Sequence, residues 1–138
     1  MNCPYCNTKS KVTNSRKNTL NHQIWRRREC LSCGSIWTSR ENIDLSSTHR
    51  VDIGRDIGLV EFSRDKLLIS IYKALEHLEQ PLFYAENLTN TVIAKLITLN
   101  QSKVEIDTLL HLVAETIEPI DAIGSKLYLT HHKAHLEQ

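Results

Sequence analysis

The chain has no run approaching the roughly 18 uninterrupted apolar residues that a membrane span requires. Its first thirty residues are polar and lack the apolar centre of a secretory signal. Both absences make the cytoplasm the expected location, and no membrane is expected among the partners. Neither a G-x₄-G-K-S/T loop nor a G-x-G-x-x-G fingerprint is present, so any nucleotide is bound in some manner other than the P-loop or Rossmann one. No Ser/His/Asp or Cys/His constellation is evident, which leaves enzymatic activity without a residue to rest on. Internal repeats and low-complexity tracts are also missing.

What is present divides in two. A hydrophobic fraction of 41% over 138 residues allows a modest packed core, in one domain or two small ones. The net charge of +1 conceals a split near residue 50. Residues 1–50 hold nine Lys/Arg against Glu29, Glu41 and Asp44, giving +6, and the remaining eight basic and thirteen acidic residues give −5. A basic module joined to an acidic one points to a polyanion partner for the first half alone.

The four cysteines form two tight pairs, Cys3/Cys6 and Cys30/Cys33, in the pattern C-x₂-C-x₂₃-C-x₂-C. In a reducing compartment such pairs read as metal ligands rather than disulfides. Each pair sets two thiolates at neighbouring vertices of a tetrahedron, and four sulfurs leave no open position for water or substrate. The expected cofactor is therefore one structural Zn²⁺ in a Cys₄ zinc ribbon. Gly34, just past the last ligand, suits a knuckle turn with positive φ. Candidate strands lie near residues 10–16, 22–29 and 35–40, where Val12, Ile24, Trp25, Ile36 and Trp37 favour extended backbone. So few apolar residues cannot hold about 45 residues together, so the metal must supply much of the stability. Trp25 and Trp37 read as core rather than as platforms for bases.

Arg26-Arg27-Arg28 falls on the second candidate strand. Alternation puts Arg26 and Arg28 with Ile24 on one face, and Arg27 with Trp25 on the other. Such arginines can grip phosphates or read guanine edges, with Arg16 and Arg40 extending the patch. The plainer alternative is a solvated face. His131, His132 and His135 give an H-x₃-H spacing, but without a third ligand they read as a solvated C-terminal helix.

Asp44-Leu45-Ser46-Ser47-Thr48 reads as the linker between domains at 1–46 and 49–138. Beyond it, Val51-Asp52-Ile53 and Ile57-Gly58-Leu59-Val60 pair as a hairpin through Gly54-Arg55-Asp56. Ser63 caps a helix carrying Leu67, Ile71, Ala74/Leu75 and Leu78, which Pro81 stops. Leu88, Val92, Leu96 and Leu99 mark a second helix. Ser102-Lys103-Val104-Glu105, in capping-box form, opens a third that buries Ile106, Leu109/Leu110, Val113 and Ile117. A fourth runs from about Ala122 with Ile123 and Leu127 inward. The expected class is α+β: a zinc ribbon, then a β-hairpin with four helices.

These residues resemble a known family, the NrdR repressors of bacterial ribonucleotide reductase genes, which join an N-terminal zinc ribbon to an ATP-cone. Met1-Asn2-Cys3-Pro4-Tyr5-Cys6, Asn14-Ser15-Arg16, Trp25-Arg26-Arg27-Arg28-Glu29-Cys30, Cys33-Gly34 and Trp37-Thr38 are similar to its ribbon. Phe62-Ser63-Arg64-Asp65-Lys66-Leu67 and Ala74-Leu75 are similar to its first cone helix. The resemblance implies a repressor that binds double-stranded operator DNA through the arginine cluster, reports ATP/dATP by changing its homo-oligomeric form, and places Lys66 near nucleotide phosphate. The family's hairpin carries V-x-K-R-D-G; here Arg55 and Asp56 match, but Gly54 replaces the Lys and Ile57 the Gly. Gly124, Ser125 and the His-rich end depart from its aromatic-rich last helix. Nucleotide is then expected between the hairpin and the first helix, lined by Val51, Arg55 and Lys66 at a helix-terminus anion site. The competing reading is an interaction module: the ribbon binds nucleic acid or a polymerase, and the helical domain oligomerises without nucleotide.

Overall fold

The computed structural model of the chain describes residues 1–20 and 22–136, with side chains to residue 134. The chain divides into two units, residues 1–43 and 44–138. In the first, β1 (Ser10–Asn18), β2 (Gln23–Cys30) and β3 (Ile36–Glu41) form an antiparallel sheet with β2 in the centre. A bulge between Val12 and Asn14 shifts the register of β1 by one residue. Of the described residues in this unit, only Cys3 and Cys30 are buried, at 2% and 3% exposure. A sheet with no apolar core cannot offset its chain entropy by burial, so stability has to come through the sulfurs.

The second unit has a conventional core. Its sheet places β4 (Arg50–Asp52) between β5 (Leu59–Glu61), antiparallel, and β6 (Lys103–Glu105), parallel. Four helices follow or interleave: α1 (Arg64–Leu75), α2 (Pro81–Thr98), α3 (Ile106–Ile117) and α4 (Ala122–Leu136). The helical spacing of apolar residues is realised in Leu67, Ile71 and Leu75, in Leu88, Val92 and Leu96, and in Leu110, Val113 and Ile117, all buried. Each such burial stabilises the fold by about 1.5–3 kcal/mol. Ser63 caps α1 by accepting a hydrogen bond from the Lys66 amide at 3.3 Å. No helix among the described residues is long and apolar enough to cross a membrane.

Four local expectations are corrected. Leu45, expected in a linker, is 5% exposed and belongs to the core of the second unit. Ser102–Glu105 does not open a helix by a capping box: Lys103–Glu105 is β6, and Glu105 caps α3 without a side-chain bond. Val104 pairs with Val51 and is 4% exposed, and Lys103 Nζ lies 2.9 Å from Asp52 Oδ2, so pairing with β4 outcompetes the local turn. Pro81 does not stop the first helix, which ends at Leu75; it opens α2, where its missing N–H leaves no bond unmade. On α4, Ile123 and Leu127 are exposed, whereas Ser125 and Tyr128 are buried. Small residues turn inward there because α4 lies close to its neighbours, and Ser125 Oγ donates to the Ala114 carbonyl at 2.8 Å.

Candidate metal centre and nucleic-acid interface

Two knuckles bring the four sulfurs of Cys3, Cys6, Cys30 and Cys33 within 4.8 Å of one another. Each knuckle turns at a residue of positive φ directly after its second cysteine: Asn7 at 60° and Gly34 at 70°. Gly34 is thus the expected left-handed position, and Asn7, a residue type that tolerates this conformation, plays the same part in the first knuckle. Backbone amides point at the buried sulfurs. The Tyr5 amide donates to Cys3 Sγ at 3.4 Å, and those of Ser32 and Cys33 donate to Cys30 Sγ at 3.3 and 3.4 Å.

The residues fit zinc. Zn–S bonds of about 2.3 Å in a tetrahedron imply sulfur–sulfur edges of about 3.8 Å. The Cys3–Cys33 and Cys6–Cys30 separations are 3.7 and 3.4 Å. Burial pushes the Cys3 thiol up to about 11, while the Thr8 hydroxyl and backbone bring Cys6 down to about 6. Cys33 is lowered chiefly by the Ser35 hydroxyl, 3.1 Å from its sulfur. A metal needs all four as thiolates, and four negative charges this close tolerate one another only around a cation. With every vertex taken by sulfur, the ion's role is structural.

The sheet sorts the arginines by face. Cross-strand register puts Arg16, Trp25 and Arg40 in one row, and the next row on that face is Asn14, Arg27 and Thr38. Arg16, Arg27 and Arg40 are exposed, and the Arg16 Cζ sits 5.9 Å from the centre of the half-buried Trp25 ring. Arg26 and Arg28 occupy the opposite face with Ile24, as alternation predicts. There the Arg26 Nε donates to Glu41 Oε1 at 2.9 Å, and the Arg28 Nε to Ser39 Oγ at 2.9 Å.

The residues expected about a nucleotide are placed apart. Val51 is a core residue of β4 at 7% exposure, and Arg55 is exposed in the β4–β5 loop. Lys66 lines a cavity of about 430 Å³ between α1 and α4, shared with Ser70, Lys73, Leu127, Tyr128 and His132, and neither Val51 nor Arg55 reaches it. Tyr128 Oη lies 3.4 Å from Ser70 Oγ, and burial raises its phenol above the ordinary value. Sequence reasoning missed Ser70 and Lys73, although their spacing of four and seven residues from Lys66 marks one helix face. Gly54 instead borders a separate cavity of about 670 Å³ with Asp52, Glu105, Asp107, His111 and Lys133. His135 of the H-x₃-H spacing lies outside the described side chains.

Residues 1–41 match the family model of the NrdR zinc ribbon, described as the N-terminal domain of NrdR-like transcriptional repressors. The chain is 31% identical over 125 residues to a transcriptional repressor NrdR of Thermoanaerobacter sp. (strain X514), covering 90% of this chain and 78% of that protein. The counterpart from Ruthia magnifica subsp. Calyptogena magnifica is 32% identical over 125 residues, covering 90% and 83%. That of Symbiobacterium thermophilum is 29% identical over 124 residues, covering 90% and 81%. All three are named transcriptional repressors, which is not an enzymatic function. A Cys₄ knuckle pair carrying a basic sheet, followed by a four-helix unit and matched along nine-tenths of its length, belongs to the NrdR family of transcriptional repressors.

Proposed function

We propose that this chain represses ribonucleotide reductase genes by docking its zinc ribbon, residues 1–46, on double-stranded operator DNA. Residues 49–138 act as an ATP-cone that binds ATP or dATP and sets the homo-oligomeric state. The observation that carries the first half is the arginine-rich sheet of the first unit, which lies in the half of the chain, residues 1–50, whose charge is +6. Zinc and its four thiolates lower that figure by a formal 2, to about +4, which still suits a polyanion.

The nucleotide half draws support from Lys66. It lies in the first turn of α1, where the helix N-terminus favours anions, and faces a cavity whose walls are mostly apolar. Lys66 and Lys73 offer charge to phosphates in that cavity, whereas Val51 and Arg55, expected to line the same site, stand outside it on the hairpin. No hairpin cation reaches this cavity, and Gly54 stands where the family carries a lysine, so the site lacks at least one charge-assisted contact of about 1.5–3 kcal/mol and affinity falls roughly ten- to a hundredfold below that of a complete site. The acidic Asp52, Glu105 and Asp107 around Gly54 favour a second reading, in which the helical domain oligomerises without nucleotide. Calorimetry with ATP and dATP on the zinc-loaded protein and on Lys66→Ala, with mass followed by light scattering, separates the two. Weak binding that the variant loses, together with a change of mass, supports sensing. No binding at millimolar nucleotide, or a variant that binds equally well, leaves the interaction module.

A further inference from the structure

The arginines of the ribbon do not form one patch. Arg26 is held by Glu41 at 2.9 Å, and Arg28 donates to Ser39 across the β2–β3 pair, so both are engaged within the sheet. On the other face Arg16, Arg27 and Arg40 are exposed, and no carboxylate pairs with them among the described residues. The carboxylate nearest in register, Glu29, is itself paired with Lys11 at 3.1 Å, one row toward the knuckles. We infer that the Trp25 face, through Arg16, Arg27 and Arg40, is the surface that meets DNA, while Arg26 and Arg28 are positioning residues that lock β2 to β3. This inference rests on the DNA-binding reading above and assigns it to one side of the sheet.

Three physical arguments support the choice. Phosphates reward a cation that brings net charge, because binding then releases condensed counterions. Arg26, already paired with Glu41, would have to exchange partners and would carry a repelling carboxylate to the backbone, while Arg28 keeps its charge but has its Nε committed to the Ser39 hydroxyl. Geometry agrees: strands about 4.8 Å apart put the Arg16 and Arg40 backbones about 10 Å from each other, with Arg27 about 7 Å along β2. That triangle is commensurate with a major groove about 12 Å wide. Finally, the Trp25 ring restrains the Arg16 guanidinium before DNA arrives, so less side-chain freedom remains to be lost on binding. Asn14 and Thr38, beside Arg27 in its row, add neutral donors to the same face.

The test uses the full-length, zinc-loaded chain and a fluorescent mixed-sequence duplex of about three helical turns, titrated by anisotropy between about 50 and 200 mM salt. Zinc content and far-UV circular dichroism are measured first for each variant. Arg16→Ala/Arg27→Ala/Arg40→Ala should flatten the slope of log K against log salt by up to about three units, and lysine at the same positions should restore it. Arg26→Gln/Arg28→Gln should move the slope by less than about half a unit. Should that pair fail to fold, Thr38→Lys and Ser15→Lys decide the matter from opposite faces. Only Thr38→Lys should steepen the slope, by up to about one unit. Equal or larger effects from the Arg26/Arg28 pair or from Ser15→Lys would overturn the assignment while leaving DNA binding intact. A parent protein with no salt-dependent affinity for the duplex would overturn the DNA-binding reading itself, and this inference with it.

Discussion

Replacing Gly124 by alanine probes how α4 seats on α1. A Cβ at that position would lie 2.6 Å from Asp121 Oδ2, 2.9 Å from Leu75 Cδ2 and 3.1 Å from the Ala74 carbonyl oxygen. The last is backbone, and Leu75 is fully buried, so neither can move cheaply. The Asp121 carboxylate is constrained too. His77 Nε2 approaches Oδ2 at 2.6 Å, though off the line of a well-directed hydrogen bond, and the Ile123 amide donates to Oδ1 at 3.2 Å. Overpacking of this kind costs about 1–3 kcal/mol, and alanine's better helix propensity returns up to about 1 kcal/mol. Net destabilisation should be about 1–2 kcal/mol. For a unit of 95 residues, 44 through 138, each kcal/mol moves the midpoint by about 4–8 °C. Thermal unfolding followed by far-UV circular dichroism should therefore show the helical transition falling by about 4–16 °C, with zinc content unchanged. A variant as stable as the parent would refute the reasoning, because α4 would then have room to yield and the walls of the Lys66 cavity would not be rigid.

Cys30→Ser should abolish binding of the single zinc ion and unfold the ribbon while the helical transition persists, since Cys30 is one of only two buried residues described there. Native mass spectrometry reads the metal, and a folded, metal-free ribbon would contradict it. Acid should loosen the small sheet of the second unit. The Lys103 ammonium at 2.9 Å, helped by the Gly54 amide, holds the Asp52 carboxyl below its ordinary 3.8, and Asp52 in turn raises Lys103 above 10.5. A carboxyl whose folded pKa is depressed contributes fully above its unfolded pKa and loses that contribution as pH falls through the folded value. The contribution is therefore present at neutral pH and disappears below about pH 4. For Lys103 the loss comes above its raised pKa, on the alkaline side. Urea midpoints of the parent and Asp52→Asn between about pH 6 and 2 should converge as pH falls, and parallel curves would show the pair to be inert.

The metal centre was legible in residue order because its chemistry is local: two C-x₂-C knuckles dictate ligand type and number whatever surrounds them. The division of Arg26 and Arg28 from Arg27 was legible too, since strand alternation is a property of the backbone. Core positions of α1, α2 and α3 followed from helical spacing, because one apolar stripe per helix has one place to go. Residue order could not show that Arg26 is neutralised and Arg27 is not. That depends on Glu41 reaching across from β3, fifteen residues away, and on which neighbour the register sets beside each guanidinium. Nor could it show that Val104 is strand rather than helix, because the partner that stabilises it, Val51, lies 53 residues earlier. The same holds for α4. Its hydrophobic pattern favours Ile123 and Leu127 as the inward pair, but Gly124 turns toward the closely approaching α1, Ser125 bonds to α3, and Tyr128 takes the next turn. Local chemistry and periodicity reside in the chain itself; the choice among faces, partners and cavities is made by contacts between segments far apart in sequence, whose steric and electrostatic terms exist only once the chain has folded.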